Sequence, residues 1–128
     1  MRILLDSHAL IWAVDRPALL SDASRSALQD VNNRLTISAA TVWELSIKIG
    51  LGKLQLTTSL RDWLQAAMRD LGLELLPITI DHADRQTQLP FHHRDPFDRL
   101  LIAQALVEQM PLVSCDAKFD PCGVSRIW

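Results

Sequence analysis

The stretch RILLDSHALIWAVD, residues 2–15, indicates the fold class of this chain. Its apolar run at 3–5 predicts a short buried strand, which ends at Asp6. A helix is predicted to start at Ser7 and must end before Pro17, because proline and the residue before it disfavour helical continuation. A buried strand followed at once by a helix is typical of a parallel α/β sheet.

The same alternation of strand and helix continues to the end of the chain. Turn and capping residues separate the segments, and no repeat, low-complexity tract or linker interrupts them. We therefore expect one α/β domain over residues 1–128 with a mostly parallel central sheet. Further helices are predicted at 21–30, 40–49, 59–71, 81–89 and 95–109, and further strands at 35–38, 73–77, 112–114 and 125–127.

Composition excludes several classes of protein. The chain has 128 residues, of which 48% are hydrophobic and 22% charged, as in an ordinary globular domain. Its net charge of −2 argues against a protein that coats nucleic acid, but only weakly against an enzyme that meets phosphate through a metal. No apolar stretch is long enough to cross a bilayer and no signal peptide opens the chain, so we expect a cytoplasmic protein without membrane contact.

The cysteines and histidines do not form a zinc motif. Cys115 and Cys122 are not spaced as a CxxC pair, and the adjacent histidines at 92–93 lack the i,i+4 spacing of helical ligands. We expect both cysteines to be structural thiols. His8 starts a helix, and a local hydrogen bond is favoured there over catalysis.

Two acids follow apolar strands, at the positions where parallel sheets collect ligands. Asp6 follows the first predicted strand, and Asp116 follows the strand at 112–114. Asp6 could also be the N-cap of the next helix, and Asp116 could be a turn residue. We favour a metal-binding role for both, because a carboxylate beside buried strands is costly to ionise unless a cation compensates it.

Two further acids lie in predicted helices. Glu44 could be a surface residue paired with Lys48 at i,i+4, but its apolar neighbours favour a functional role. Asp95, followed by proline, is predicted to cap the last long helix, with an outer-shell role possible. Asp98 would then occupy the third helical position, where either a capping box or a metal ligand is conceivable, and we favour the ligand.

A cluster of carboxylates without a cation raises the pKa values of its members and favours hard ions such as Mg²⁺ or Mn²⁺. Such a cluster suits phosphodiester hydrolysis by activated water. A Mg²⁺-dependent phosphatase is disfavoured, since His8 stands where such an enzyme would have its second aspartate, and no Gly-rich GK[ST] run supports a P-loop. Basic residues that could meet a phosphate, each more simply a surface charge, are Lys48, Lys53, Arg94, Arg99 and Lys118.

Four motifs in order resemble the PIN domain and, more narrowly, the VapC-type toxins of bacterial type II toxin–antitoxin operons. They are LLDSHALIW at 4–12, SAATVWEL at 38–45, DPFDRLLIAQA at 95–105 and LVSCD at 112–116. The resemblance covers nearly the whole chain. It implies a three-layer α/β/α fold and a Mg²⁺- or Mn²⁺-dependent endoribonuclease, with catalytic and metal-binding acids at Asp6, Glu44, Asp98 and Asp116.

The resemblance also implies partners. These are an RNA substrate, a small VapB-like cognate antitoxin and a second copy of the chain in a homodimer, with operator DNA contacted only through the antitoxin. Ser7 keeps the hydroxyl that the family often carries as Thr. Ala117 stands where the family often has a polar or acidic residue. Outer-shell or substrate-contacting candidates are Ser7, Lys48, Asp95 and Arg99. The alternative is a catalytically inactive PIN module that binds RNA or antitoxin.

Three tryptophans, Trp12, Trp43 and Trp63, stand in predicted helices. They could line a partner groove or a dimer contact, or fill the core, and the core is favoured for Trp43.

Overall fold

The computed structural model describes residues 1–91 and 94–128 and contains, within them, a five-stranded sheet. The strand order is β3-β2-β1-β4-β5, and all four pairings are parallel, as the sequence predicts. The adjacent histidines at 92–93 lie outside the described residues. The strands are β1 Arg2–Leu5, β2 Arg34–Ser38, β3 Glu74–Leu76, β4 Leu112–Val113 and β5 Arg126–Ile127.

Every predicted helix is present, with ends shifted by a few residues at most. Two short 3-10 segments, Pro17–Leu19 and Ala117–Cys122, were not predicted, because three to six residues are too few to show a period. The α-helices are α1 Ser7–Asp15, α2 Asp22–Gln29, α3 Ala39–Gly50, α4 Leu60–Leu71, α5 Ile80–Thr87 and α6 Pro96–Glu108.

Apolar clusters cover both faces of the sheet. Ile3 and Leu5 point into one cluster with Trp63 of α4, whereas Leu4 points into the other with Ile102 of α6. Successive side chains of a strand face opposite sides, so a strand that is apolar throughout needs a helical layer on each face. The three-layer α/β/α architecture follows from this double burial.

The chain reverses its direction of travel across the sheet next to β1. From β1 it proceeds to β2 and β3 on one side, then returns to place β4 and β5 on the other. Leu5 pairs with Val113, and the Asp6 amide donates to the Val113 carbonyl at 3.1 Å. A crevice at the carboxyl ends of β1 and β4 is therefore the expected ligand site of this topology.

The core prediction for Trp43 was wrong. Trp43 is 63% exposed, while Trp63 is 4% exposed and Trp12 is half-buried. The period of α3 cannot distinguish these cases, because apolar residues surround the helix on nearly all sides and the tertiary packing selects which of them are covered. Cys115 and Cys122 are free thiols. Within the described residues, no helix combines the length and apolarity needed to span a membrane.

Candidate metal centre

Asp6 occupies the junction of β1 and α1. Its carboxylate accepts a hydrogen bond from the Ala9 amide at 2.8 Å, so the predicted N-cap geometry is present. The residue is 5% exposed, and this burial raises the pKa of Asp6, an effect that the hydrogen bond from Ser114 partly opposes. Glu44 raises the pKa of Asp6 further. The cap therefore does not compensate the cost of a buried charge.

Ser114 is a site residue that sequence reasoning missed. It is fully buried, its hydroxyl oxygen accepts the Asp116 amide at 3.0 Å, and its side chain is hydrogen-bonded to Asp6. One hydroxyl thus links the two acids that follow β1 and β4. The available signal was register: Ser114 follows β4 directly, as Asp6 follows β1, so the parallel pairing brings them side by side.

Asp98 has the most perturbed environment. Burial raises its pKa first, and the charges of four acids raise it further, to about 7. In decreasing order of effect, these are Asp95, Glu44, Asp6 and Asp116. Residues from α3, α6 and the ends of β1 and β4 therefore share one electrostatic environment, although they lie far apart in the sequence. The four acids predicted from the sequence are brought together here.

Asp95 has the predicted capping role. Its carboxylate accepts the amides of Phe97 at 2.8 Å and Asp98 at 3.2 Å, and it precedes Pro96 at the first helical position. Its charge is also the largest electrostatic contribution to the raised pKa of Asp98. Asp95 is thus a structural residue whose charge reaches the site.

Glu44 and Lys48 form the i,i+4 pair that was one of the two sequence alternatives. Lys48 Nζ lies 3.6 Å from Glu44 Oε2. Glu44 is nevertheless 8% exposed, so it is not a solvated surface residue. The charge of Glu44 acts on the other acids, since it raises the pKa values of both Asp6 and Asp98.

Asp116 is the N-cap of the 3-10 segment after β4. Its carboxylate accepts the Lys118 amide at 2.9 Å, which is the turn geometry considered as the alternative to metal binding. It also raises the pKa of Asp98. As with Asp6, the capping role does not exclude a metal-binding role, because a carboxylate has two oxygens with several lone pairs.

Arg99 is buried in the first turns of α6. It is 5% exposed, and its guanidinium donates to three carbonyl oxygens, one within α5 and two just after it, which ties α6 to that segment. A substrate contact by Arg99 stays a prediction. The other candidate, Ser7, is buried at the first position of α1. Lys53, Arg94 and Lys118 are exposed. The acceptors of Arg99 are the carbonyls of Gln86, Leu89 and Pro90.

The donor set suits a hard divalent cation. All four acids offer carboxylate oxygens, and the raised pKa of Asp98 reflects like charges that a cation would compensate. Among the described residues, no three His, Cys, Asp or Glu side chains are already arranged to hold an ion. Binding of a cation would therefore require these side chains to move inward.

Comparison with known proteins relates this arrangement to one family. The PIN domain family matches residues 3–122. A curated relative, ribonuclease VapC16 of Mycobacterium tuberculosis, is 37% identical over 70 residues. That match covers 52% of this chain and 48% of the relative, so the similarity extends over about half the length of each.

Solved structures share the fold over the full chain. A chain of the VapBC2 structure from Rickettsia felis, bound to a promoter DNA fragment, aligns with a TM-score of 0.75 at 18% identity, covering 100% of both chains. The VapBC-1 structure from nontypeable Haemophilus influenzae aligns with a TM-score of 0.67 at 17% identity, covering 98% of this chain and 96% of the other. At these identities the likeness concerns the fold.

Proposed function

The chain belongs to the PIN domain family, and from this premise we propose that it is a Mg²⁺- or Mn²⁺-dependent endoribonuclease of the VapC toxin type. The observation that carries the proposal is the environment of Asp98. Its pKa is raised to about 7 by burial and by acids from separate parts of the sequence. A fold gains no stability from gathering such charges, so a ligand that compensates them is the simplest physical reason for the arrangement.

Asp6, Glu44, Asp98 and Asp116 would hold the cation. When bound, a divalent cation supplies an activated water and stabilises negative charge on a phosphate under attack. The carboxyl of Asp98 would release its proton as the cation enters, because the repulsion that raises its pKa is then compensated. Ser114 keeps Asp6 and the backbone of Asp116 in register, and Lys48 holds Glu44.

RNA cleavage by point variants tests the metal site. Asp6→Asn keeps a capping oxygen for Ala9, and Asp98→Asn keeps the size of the side chain, so both remove charge with little change of fold. We expect each to lower Mg²⁺-dependent cleavage roughly 10²- to 10³-fold, the scale for losing one charge-stabilising group. Cleavage unaffected by both substitutions would refute the assignment of the metal site.

The matched control is Asp62→Asn. Asp62 is also the third residue of a capped helix, α4, but it is exposed and does not contribute to the charge cluster. We expect this variant to cleave RNA at the wild-type rate. Equal losses in Asp62→Asn and Asp98→Asn would indicate a general effect on folding.

The toxin part of the proposal rests on the named relatives, which are a VapC ribonuclease and the chains of VapBC complexes. We propose a small VapB-like antitoxin as the partner and a homodimer as the assembly. Expression of the chain alone should arrest growth, and co-expression of a small neighbouring gene product should relieve the arrest. Growth without arrest, together with active RNA cleavage, would indicate a nuclease outside a toxin–antitoxin pair.

The inactive PIN module remains the second candidate, and the same cleavage assay decides it. A chain that binds RNA or antitoxin but shows no metal-dependent cleavage would support that alternative.

A further inference from the structure

A partly exposed aromatic pair connects α3 and α6, the helices that carry Glu44 and Asp98. Trp43 of α3 and Phe97 of α6 meet edge to face, with ring centroids 5.7 Å apart at 71°. Each ring belongs to the residue directly before a site acid, Glu44 or Asp98. The pair therefore bridges the two helices that carry these acids.

The exposure of Trp43 is unusual for its residue type. It is 63% exposed, whereas Trp63 is 4% exposed and the two remaining tryptophans are half-buried. An indole left in water forgoes a large gain from burial, so an exposed one indicates a binding role more often than an exposed leucine does. Phe97, half-buried, supports one edge of the indole and limits its orientations.

We infer that Trp43, supported by Phe97, is a stacking platform for one unpaired nucleobase of the RNA next to the scissile phosphate. Single-stranded nucleic acid is held by aromatic faces that stack on its bases, in combination with contacts to its phosphates. A phosphate drawn to the cation held by the acids would bring an adjacent base within reach of this ring. That the substrate is RNA rests on the proposed function. The inference adds a contact to one base, which would select unpaired RNA.

A titration with single-stranded oligoribonucleotides tests the platform. All proteins in the series keep the four site acids, and Ca²⁺ replaces Mg²⁺ so that a hard cation can hold the phosphate while cleavage is slow. Against this background we expect Trp43→Leu to weaken binding about 5- to 150-fold, the effect of losing one stacked base. Trp43→Phe, which keeps an aromatic face, should retain most of the affinity.

The matched control is Leu51→Ala. Leu51 follows the last residue of α3 and is 64% exposed, nearly the same as Trp43, but it lies eight residues further along, about 12 Å at the rise of a helix. We expect no change in RNA affinity. Equal losses for Leu51→Ala and Trp43→Leu would overturn the platform in favour of a non-specific apolar effect.

Oligonucleotides with a single abasic nucleotide identify the contact. At one position, removing the base should cost as much affinity as Trp43→Leu, and the two losses should not add, because both remove the same stack. Binding to the intact oligomer should also quench the fluorescence of Trp43. Additive losses at every position would overturn the inference.

RNA affinity tests the platform, and RNA cleavage tests the nuclease. RNA cleavage by the wild type, with unchanged RNA affinity in Trp43→Leu, would remove the platform and leave the nuclease. If Trp43→Leu weakens only the binding of an antitoxin, the surface belongs to a protein partner and the inference is wrong. If the affinity losses from Trp43→Leu and from the abasic nucleotide do not add, but the wild type cleaves no RNA, the platform is supported and the nuclease is refuted.

Discussion

Helices α4 and α6 begin in the same way. Each has an oxygen-bearing side chain at its N-cap, Ser59 or Asp95, and an aspartate at its third position, Asp62 or Asp98. In both, the cap accepts the amide of that aspartate, at 3.1 Å in α4 and 3.2 Å in α6. Local structure therefore does not distinguish the two aspartates.

Their surroundings do distinguish them. Asp62 is exposed to solvent, while Asp98 is half-buried where the ends of β1 and β4 meet α3. There, burial and neighbouring charges raise the pKa of Asp98 to about 7. The capped helix start places the carboxylate at the same position in both helices. Only the surroundings at the sheet edge perturb the carboxylate of Asp98.

The largest difference that we expect between the two aspartates is in cation affinity. We expect Asp98→Asn to bind Mn²⁺ roughly 100-fold or more weakly, since loss of even an outer-shell partner costs 10- to 100-fold. Asp62→Asn should bind as the wild type does. Titration calorimetry measures both, and equal affinities would show that the position of Asp98 at the sheet edge is irrelevant to cation binding.

The same comparison applies to two serine hydroxyls, the buried one of Ser114 beside the site acids and the exposed one of Ser59 at the start of α4. Ser114→Ala leaves the Asp116 amide without its acceptor in a partly buried place, which we expect to cost about 1–3 kcal/mol. Ser59→Ala removes an exposed cap and should cost about 1 kcal/mol. Urea unfolding compares them. In Ser114→Ala the pKa of Asp6 should also rise further, and an unchanged value would contradict the link between the two strand ends.

The pH dependence of stability should differ between the two aspartates. In the metal-free protein the pKa of Asp98 is raised from 3.8 to about 7, so between these values the folded state binds more protons than the unfolded state. The free energy of unfolding should therefore fall as pH rises from about 4 to about 7. Asp98→Asn should reduce this slope, and Asp62→Asn should leave it unchanged. Urea unfolding in EDTA across this range provides the test.

The smallest expected effect separates the cap of α6 from its charge. Asp95→Asn should change stability by less than about 0.5 kcal/mol, because asparagine caps a helix as well as aspartate does. The pKa of Asp98 should nevertheless fall, since the charge of Asp95 is the largest electrostatic contribution to it. Carboxyl NMR titration measures the shift. A constant pKa would show that the charge of Asp95 does not act on Asp98.

Most of the fold could be predicted from the sequence because the signals for helices and strands are local. Caps such as Ser59, stops such as Gly72 with its φ of +66°, and the runs at 3–5 and 35–37 act within a few residues. Parallel pairing followed from strands that are apolar on both faces. The candidate acids were also recognisable, because a charge at the end of an apolar strand is visible in the sequence, while their role as metal ligands stays a prediction.

The errors were of another kind. Trp43 was expected in the core and is exposed, and Ser114 was overlooked as a site residue. Each depends on what lies across from the residue in space. Hydrophobic period and residue type do not contain that information.

The sequence by itself determined the helix starts, the strands and the acids at their ends, because these depend on interactions among near neighbours. Only the tertiary structure decided that Asp98 shares its environment with Asp6, Glu44 and Asp116, whereas Asp62, with the same local geometry, stays in water. The physical reason is that burial and Coulomb repulsion depend on distance in space. Parallel pairing of β1 with β4 and packing of α6 beside α3 set those distances.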